Sequence, residues 1–485
     1  MTHNDDSQVF AAAHEAWLAG SSLRTDRRRF KDFTYGRQWG DMMTLPNGVT
    51  LTEGQYAANT GRIPQTNNLI RQLVKSVIGR FRYEEADRRN DDPIASERTL
   101  NALDELDARS LEEFLISGCA VQRVVCERRP GASAPRVYVD AVSPGRFFVN
   151  RFSDPRGWDI ELVGMLHDMS LAEVMMRFGC GDPARRAAIS RAYGAAPAGS
   201  VTPTGSSGEV SFTEAAAGRC RVIEVWTLEA REVLRCHDRD SGSYFLADAA
   251  EAADASAGSH ADGSDSPMQR IAAVNRRRAS AGRLPLEARA ETTLRWRGRW
   301  FAPDGSLLMA MDSPYAHGSH PFVVKFFPMT DGEVHSFVED VIDQQRHINR
   351  LITMIDHIMG HSAKGVLLFP AGIKLPEMSW DDVVREWTKV NGVIPYSAHT
   401  GDKPSQIVSN GADAGAHRML ELEMKLLEKV SGVSSALRGE VATGHDGAEL
   451  FKSRLEASAI SLLDLFGAFR AFLADRDAKV CATRP

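Results

Sequence analysis

The run from Val334 to Met359 limits what this chain can fold into more than any other part of it. Val334, Phe337, Val338, Val341, Ile342, Ile348, Leu351, Ile352, Ile355, Ile358 and Met359 recur at spacings of three and four, the period of one helix face. Held for about seven turns, the pattern predicts a helix roughly 40 Å long, well beyond the usual three turns. A helix of that length needs a long partner to cover its apolar face. One is predicted from about Ala416, with Met419, Leu422, Leu426, Val430 and Val433 inward and Glu421 placed before Lys425 in the favourable i,i+4 order outward. Between the two helices, GVLLFPAG and NGVIPYSA read as strands, and Ser379 starts a short helix carrying Trp380, Val383, Val384 and Trp387. After the second long helix, GEVATGHDG concentrates glycine and reads as a flexible loop. A third helix follows, in which Ala448, Phe451, Leu455, Ala459, Leu462, Phe466, Phe469 and Leu473 form a narrow seam suited to packing against another helix.

The first two thirds mix both kinds of element. NLIRQLVKSVIGRF, from Asn67, is an amphipathic helix by its four-residue spacing. A second helix is expected across Leu100, Leu103, Leu106, Phe114 and Leu115, ending near Gly118. VQRVVCE and RVYVDAV are β-branched and flank RRPGASAP, which reads as the turn of a hairpin. Ser170 with Glu173 forms a capping box before LAEVMMRF, and Met169 is placed to staple against Val174. Further strands are expected at RVIEVWTL, REVLRC, TLRWRGRWF and FVVKFF. Residues 195–209 and 248–267 are low in apolar side chains and read as surface insertions, the second within an inserted stretch of about 247–289. The fold class is therefore α+β.

Composition removes several functions. The chain has 58 basic and 64 acidic residues, a net charge of −6, so it lacks the whole-chain basic bias of tight, sequence-independent DNA binding. Its richest apolar stretch, residues 458–474, is broken by Asp464 and Arg470, which is too short a run to cross a membrane. MTHNDDSQ at the start has neither a basic nor an apolar signal region, so a cytosolic chain with reduced cysteines is expected. No Gly-Lys dipeptide occurs, and a Walker loop needs one to bring amides and lysine to a nucleotide's phosphates. GHSAKG around Ser362 has Lys364 where a nucleophile elbow needs its second glycine. His335, His347, His357 and His361 read as a solvated helix face, as do Glu339 and Asp340; DRDSG from Asp238 reads as a hairpin turn. No catalytic residue, metal ligand or cofactor is assigned. TLRWRGRWF places Arg295, Arg297 and Arg299 on one strand face and Trp296 and Trp300 on the other, which fits a half-buried strand and a nucleic-acid groove equally. On these residues alone, a soluble enzyme or a nucleic-acid-binding module with an unrecognised site stays open.

The order of elements, together with several patches, resembles the portal proteins of tailed bacteriophages. The patches are FKDFTYGRQWGD at residues 30–41, NNLIRQLVKSVIG, VSPGRFFVNRFSDP leading into HDMSLAEVMMRFG, and SPYAHGSHPFVVKFFPMTDGEVHSFVEDVIDQQRHINRLITMIDHI. In the last, Asp343, Gln344, Gln345, Ile348 and Asn349 sit in a D-x-Q-x-x-I-N type of pattern that starts the family's long stem helix. VSGVSSALRGEVATGHDGAEL is similar to the family's region between second stem helix and tunnel loop. The resemblance implies a non-enzymatic, dodecameric ring at one capsid vertex, through which double-stranded DNA is packaged and ejected. It also implies a head-tail connector located in the virion, and in the host cytoplasm during assembly, with no membrane partner. Its implied partners are the terminase large subunit, head-completion or adaptor proteins, and the major capsid and scaffold proteins. On that mapping residues 1–333 form the wing, 334–361 the first stem helix, 362–410 the clip, 411–433 the second stem helix, 434–447 the tunnel loop and 448–485 a C-terminal helical segment. A long C-terminal crown is not expected. The candidate channel residues are Arg438, Glu440, Thr443, His445 and Asp446; Arg438 and His445 offer contacts to phosphates, while Glu440 and Asp446 oppose them. A mildly acidic first stem helix, with Glu333, Glu339, Asp340, Asp343 and Asp356 against Arg346 and Arg350, suits a conduit that must release each phosphate it meets.

Overall fold

A computed structural model of the chain describes residues 6–86, 93–129, 131–179, 182–194, 210–216, 218–246, 267–362, 366–389, 392–397, 403–407, 412–434 and 460–484. The N-terminal part holds α1 (Asp6–Ala19), α2 (Ser21–Thr34), a ribbon of β1 (Met42–Thr44) and β2 (Thr50–Thr52), then α3 (Glu53–Asn59), α4 (Leu69–Ala86), α5 (Ala95–Leu100) and α6 (Leu103–Ser117). The four-residue spacing of α4 buries Ile70, Leu73, Val74, Val77 and Phe81. The single helix expected across Leu100 and Leu115 is two, because Ala102 takes a φ of 47° and breaks the run between α5 and α6. Gly118 ends α6 at φ 66°, and a Cβ there would meet the His335 carbonyl oxygen at 2.8 Å. Glycine is thus required where α6 touches the segment leading to the long helix.

The middle of the chain runs β3 (Cys119–Glu127), β4 (Arg136–Ala141), β5 (Phe147–Val149), β6 (Leu162–Met169), α7 (Leu171–Phe178), α8 (Pro183–Gly194), β7 (Cys220–Asp238), β8 (Ser243–Leu246), α9 (Pro267–Ser280), β9 (Glu287–Phe301), β10 (Leu307–Asp312), β11 (Phe322–Phe326), β12 (Pro328–Thr330) and β13 (Glu333–Val334). One sheet has the order β10-β9-β7-β6-β5 with β8 attached to β7, and another the order β11-β3-β4. The expected β3–β4 hairpin forms, and the Ser170 hydroxyl caps α7 by accepting from the Glu173 N–H. The segments RVIEVWTL and REVLRC are one strand of 19 residues, since no glycine or proline separates them. Residues 195–209 and 247–266 lie outside the described residues. The rest of the stretch 247–289 is not plain surface insertion: Ile271 of α9 and Ala288 of β9 pack on Leu234 and Cys236 in a small satellite core. TLRWRGRWF alternates as predicted, but its arginine face is not open. Arg299 is 1% exposed, donates to Asp6 at 2.8 Å and Thr227 at 3.0 Å, and pairs with Glu229.

The last third contains α10 (Ile342–Ser362), β14 (Val366–Leu368), α11 (Trp380–Thr388), β15 (Ser405–Ile407), α12 (Ala412–Ser431) and α13 (Leu463–Thr483). The long helix starts at Ile342 rather than Val334. Val334 is held in the β12–β13 ribbon, and the Ser336 hydroxyl accepts the Glu339 N–H at 2.9 Å, opening a 3-10 turn over Glu339–Val341 before α10. His335 therefore precedes the helix. β14 pairs with β15, not with NGVIPYSA, which supplies a single bridge from Tyr396 to Lys374; Pro395 has no N–H to extend a ladder there. In α11, begun by a Ser379–Asp382 capping box, Val383 is buried while Trp380 and Val384 stay exposed.

α12 packs along α10 with a face other than the one predicted, although Val433, just past the helix end, is buried as expected. Ala416, Glu423 and Leu427 are buried, whereas Met419, Leu422, Leu426 and Val430 are 43%, 49%, 36% and 46% exposed. The amphipathic pattern identifies an apolar stripe, and the stripe lies to one side of the contact with α10. α13 extends further than the expected seam. It runs on to Thr483 and buries Leu465, Phe466, Phe469, Phe472 and Val480 in the main core, beside Phe81 and Phe114. Leu462, Phe466 and Phe469 of the expected seam do pack against other helices, α4 and α6 of the same chain. Residues 448–459 lie outside the described residues.

Candidate functional site

Gln345, Asn349 and Thr353 follow one another at four-residue intervals on α10 and so share a face. All three are buried, at 0%, 2% and 3% exposure, on a helix whose other inward residues are aliphatic. Burial of such groups is tolerated only with partners, and the partners come from the start of α4, whose first N–H groups have no acceptor within the helix. The Gln345 amide oxygen accepts from the Leu69 and Ile70 N–H groups at 3.0 and 3.3 Å. Its nitrogen donates to the Asn67 carbonyl at 2.6 Å and to the Asn349 amide oxygen at 3.0 Å. Asn349 also accepts the Asn67 N–H at 3.1 Å and donates to Gln38 at 2.6 Å, and Thr353 accepts the Gln65 N–H at 3.0 Å. Gln38 and Asn68 carry the chain of bonds on to the end of α2, through the Phe33 and Thr34 carbonyls. One helix face is thereby stitched to two N-terminal elements.

Charge reinforces the seam on its flank. Glu53, the first residue of α3 and 4% exposed, pairs with Arg350 at 2.8 Å and with Arg346. Between α3 and α10 lies a half-open cavity of about 380 Å³, walled mainly by Trp39, Met43, Tyr56, Leu351 and Met354. A buried charge cluster lies elsewhere. Glu224, fully buried on β7, accepts from Arg123 at 3.2 Å and Trp226 at 2.8 Å, and lies 2.6 Å from His167 Nε2. Burial pushes its carboxyl up, but Arg123 and the His167 and Trp226 donors outweigh this and hold it below the usual carboxylate range. It braces β3 against β7 and faces no cavity described above.

Of the motif residues, Gln345 and Asn349 form the seam and Ile348 is buried in the main core. Gln344 is half-buried, and Asp343 is exposed, 3.7 Å from Arg346. The candidate loop residues Arg438, Glu440, Thr443, His445 and Asp446 lie outside the described residues. Thr353, Gln38, Asn67 and Asn68 are not among the sequence candidates, although the Gln-Asn-Thr spacing of four on an apolar helix signals the first. Asp238 and Asp240 are held by Arg278 at 2.6 and 3.1 Å, in a turn. Among the described residues no cluster of His, Cys, Asp and Glu is fit to hold a metal, and no helix is long and apolar enough to cross a membrane. The described cysteines are free thiols, with Cys119 and Cys236 buried and Cys481 exposed.

The seam predicts its own mutational signature. Gln345→Ala removes an acceptor from two N–H groups and leaves the Asn67 carbonyl short of a donor, so it should cost about 1–3 kcal/mol, read as a shift in urea midpoint. Asp343→Ala, more than half a turn away on the helix and exposed, should stay within about 0.5 kcal/mol of the parent.

A family model of the phage P22-like portal proteins matches residues 99–474, well over half of the chain. The patches at residues 30–41 and 67–79 precede that range. No curated protein matches the chain.

Proposed function

Because the chain belongs to the phage P22-like portal protein family, we propose that it assembles as a closed, dodecameric ring at one capsid vertex. Double-stranded DNA enters and leaves through the ring, and the ring joins head to tail. The observation that carries this reading is the exposed stripe of Met419, Leu422, Leu426 and Val430 on α12. Four large apolar side chains aligned on one helix are what a subunit interface needs, and the chain's own described fold leaves them half exposed. In this reading the α/β body up to β13 is the wing, α10 and α12 are the stem helices, and β14, α11 and β15 belong to the clip. The seam under α10 then fixes stem to wing. The terminase large subunit, adaptor, scaffold and major capsid proteins would meet the outer surfaces of such a ring in the capsid. The subunit acts as a structural part and carries out no chemistry of its own.

The segment 434–447 is the tunnel loop in this reading. Gly439, Gly444 and Gly447 let its backbone take positive φ, and mixed charge makes each subunit's hold on DNA weak. Weak holds repeated around a ring add up without stopping translocation. Electron microscopy of the purified protein tests the assembly: rings with a central hole are expected, and a uniform monomer across salt conditions at micromolar concentration would refute it. Shortening Val441 to Asp446 to a minimal linker should leave ring formation unchanged but impair packaging or retention of DNA. Wild-type phage yield and genome content from that variant would show the loop to be only a connection.

A further inference from the structure

We infer that neighbouring copies of this chain dock by seating Met424 and Glu421 of one copy's α12 in the cavity beside the next copy's α10, an inference that rests on the ring reading. The cavity has apolar walls but an unspent positive charge. Arg62 lines it, has no ion pair among the described residues, and buries an Nε without an acceptor. Glu53, the nearby carboxylate, is already committed to Arg346 and Arg350. The site therefore suits an apolar side chain next to a carboxylate. α12 presents that pair: Met424 is 48% exposed, and Glu421 is exposed with no ion pair among the described residues. Three residues apart on a helix, they are neighbours.

Their placement fits a neighbour rather than the same chain. His347, on the cavity's edge, lies 3.8 Å from Glu423. Glu423 is therefore on the cavity side of the contact between α10 and α12. Leu420 and Leu427 pack along that contact, and Met424, rotated about 100° from Glu423, falls beyond it on the opposite flank. Cavity and ridge thus occupy opposite sides of one helix pair at the same level. Two different patches at the same level are joined by a rotation with little rise, and repeated rotation of that kind closes a ring instead of growing a filament.

Cross-linking tests the docking on the full chain. With Cys126→Ser, Cys180→Ser, Cys220→Ser and Cys481→Ser together as background, the double variant Met354→Cys and Met424→Cys should give, on mild oxidation, a non-reducing ladder of dimer, trimer and larger species. Each single variant should stay a monomer band. Arg62→Glu and Glu421→Arg should each raise the concentration needed for rings at least about tenfold, or 1.4 kcal/mol, and the two together should restore most of it. Rings in the microscope without a ladder or a charge-swap effect would overturn the docking and leave the ring reading standing. A product that stops at dimer would overturn it as well, since it signals a two-fold contact. Monomers from the unaltered chain would overturn both.

Discussion

Arg476→Met should destabilise the folded subunit by about 3–5 kcal/mol, the cost of breaking a buried ion pair from one side. Arg476 is 0% exposed in the middle of α13. Its guanidinium donates to both oxygens of Asp107 on α6, at 2.8 and 3.2 Å, and pairs with Asp477. Burial pulls the guanidinium's pKa down, yet Asp107 and Asp477 outweigh this and hold it above its ordinary value. Asp107 is 5% exposed and also accepts from Gln122, itself bonded to Ser110. Without Arg476 the Asp107 carboxylate would keep only Gln122 and a more distant Arg98 at 3.8 Å. The denaturation midpoint of the single variant reads the loss. Pairing it with Asp107→Leu should recover most of the stability, because the buried carboxylate is then gone and the partly exposed Asp477 keeps Arg98 at 4.0 Å. A single variant within about 1 kcal/mol of the parent would mean that α13 is held by its phenylalanines alone.

The second large effect concerns assembly and leaves the fold of the subunit intact. Leu422→Glu combined with Leu426→Glu should turn rings into folded monomers at micromolar concentration. Each leucine is already 49% or 36% exposed in the single chain, so a carboxylate at either place costs the isolated subunit little. In an assembled stem each substitution forfeits the burial of the part still exposed, roughly 0.5–1.5 kcal/mol, and adds an unpaired charge, at every interface of the ring. Sedimentation should report monomer while the far-ultraviolet circular dichroism is unchanged. Persistent rings would place the stripe outside the contact between subunits.

Local patterns were legible where one segment carries its whole signal. α4 reads directly from its four-residue apolar spacing, and the β3–β4 hairpin from β-branched runs around a Pro-Gly turn. The α12 stripe was legible as apolar but not as outward, because amphipathicity states that a face is covered without saying by which molecule. The start of α10 is not legible for a related reason. Phe337, Val338 and Val341 are buried like helix residues, but they reach the core from an irregular lead-in. The seam was half legible: Gln345 and Asn349 stood out as motif letters, while Asn67 and Gln38 come from segments with no periodic signal. Arg476 and Arg299 were invisible as core residues, since their acidic partners, Asp107 and Asp6, lie hundreds of positions away.

A helix held by grease alone is free to spin or slide a little, because dispersion and hydrophobic contacts have no preferred direction. α10 is held on one face by amide-to-amide bonds whose strength falls steeply when they are bent. Those bonds act as a key in a slot. A twist applied to the far end of α10, where β14 and β15 tie it to the start of α12, cannot be absorbed by the helix turning about its own axis. It is delivered as torque to the first turn of α4 and the end of α2, and through them to the body of the subunit.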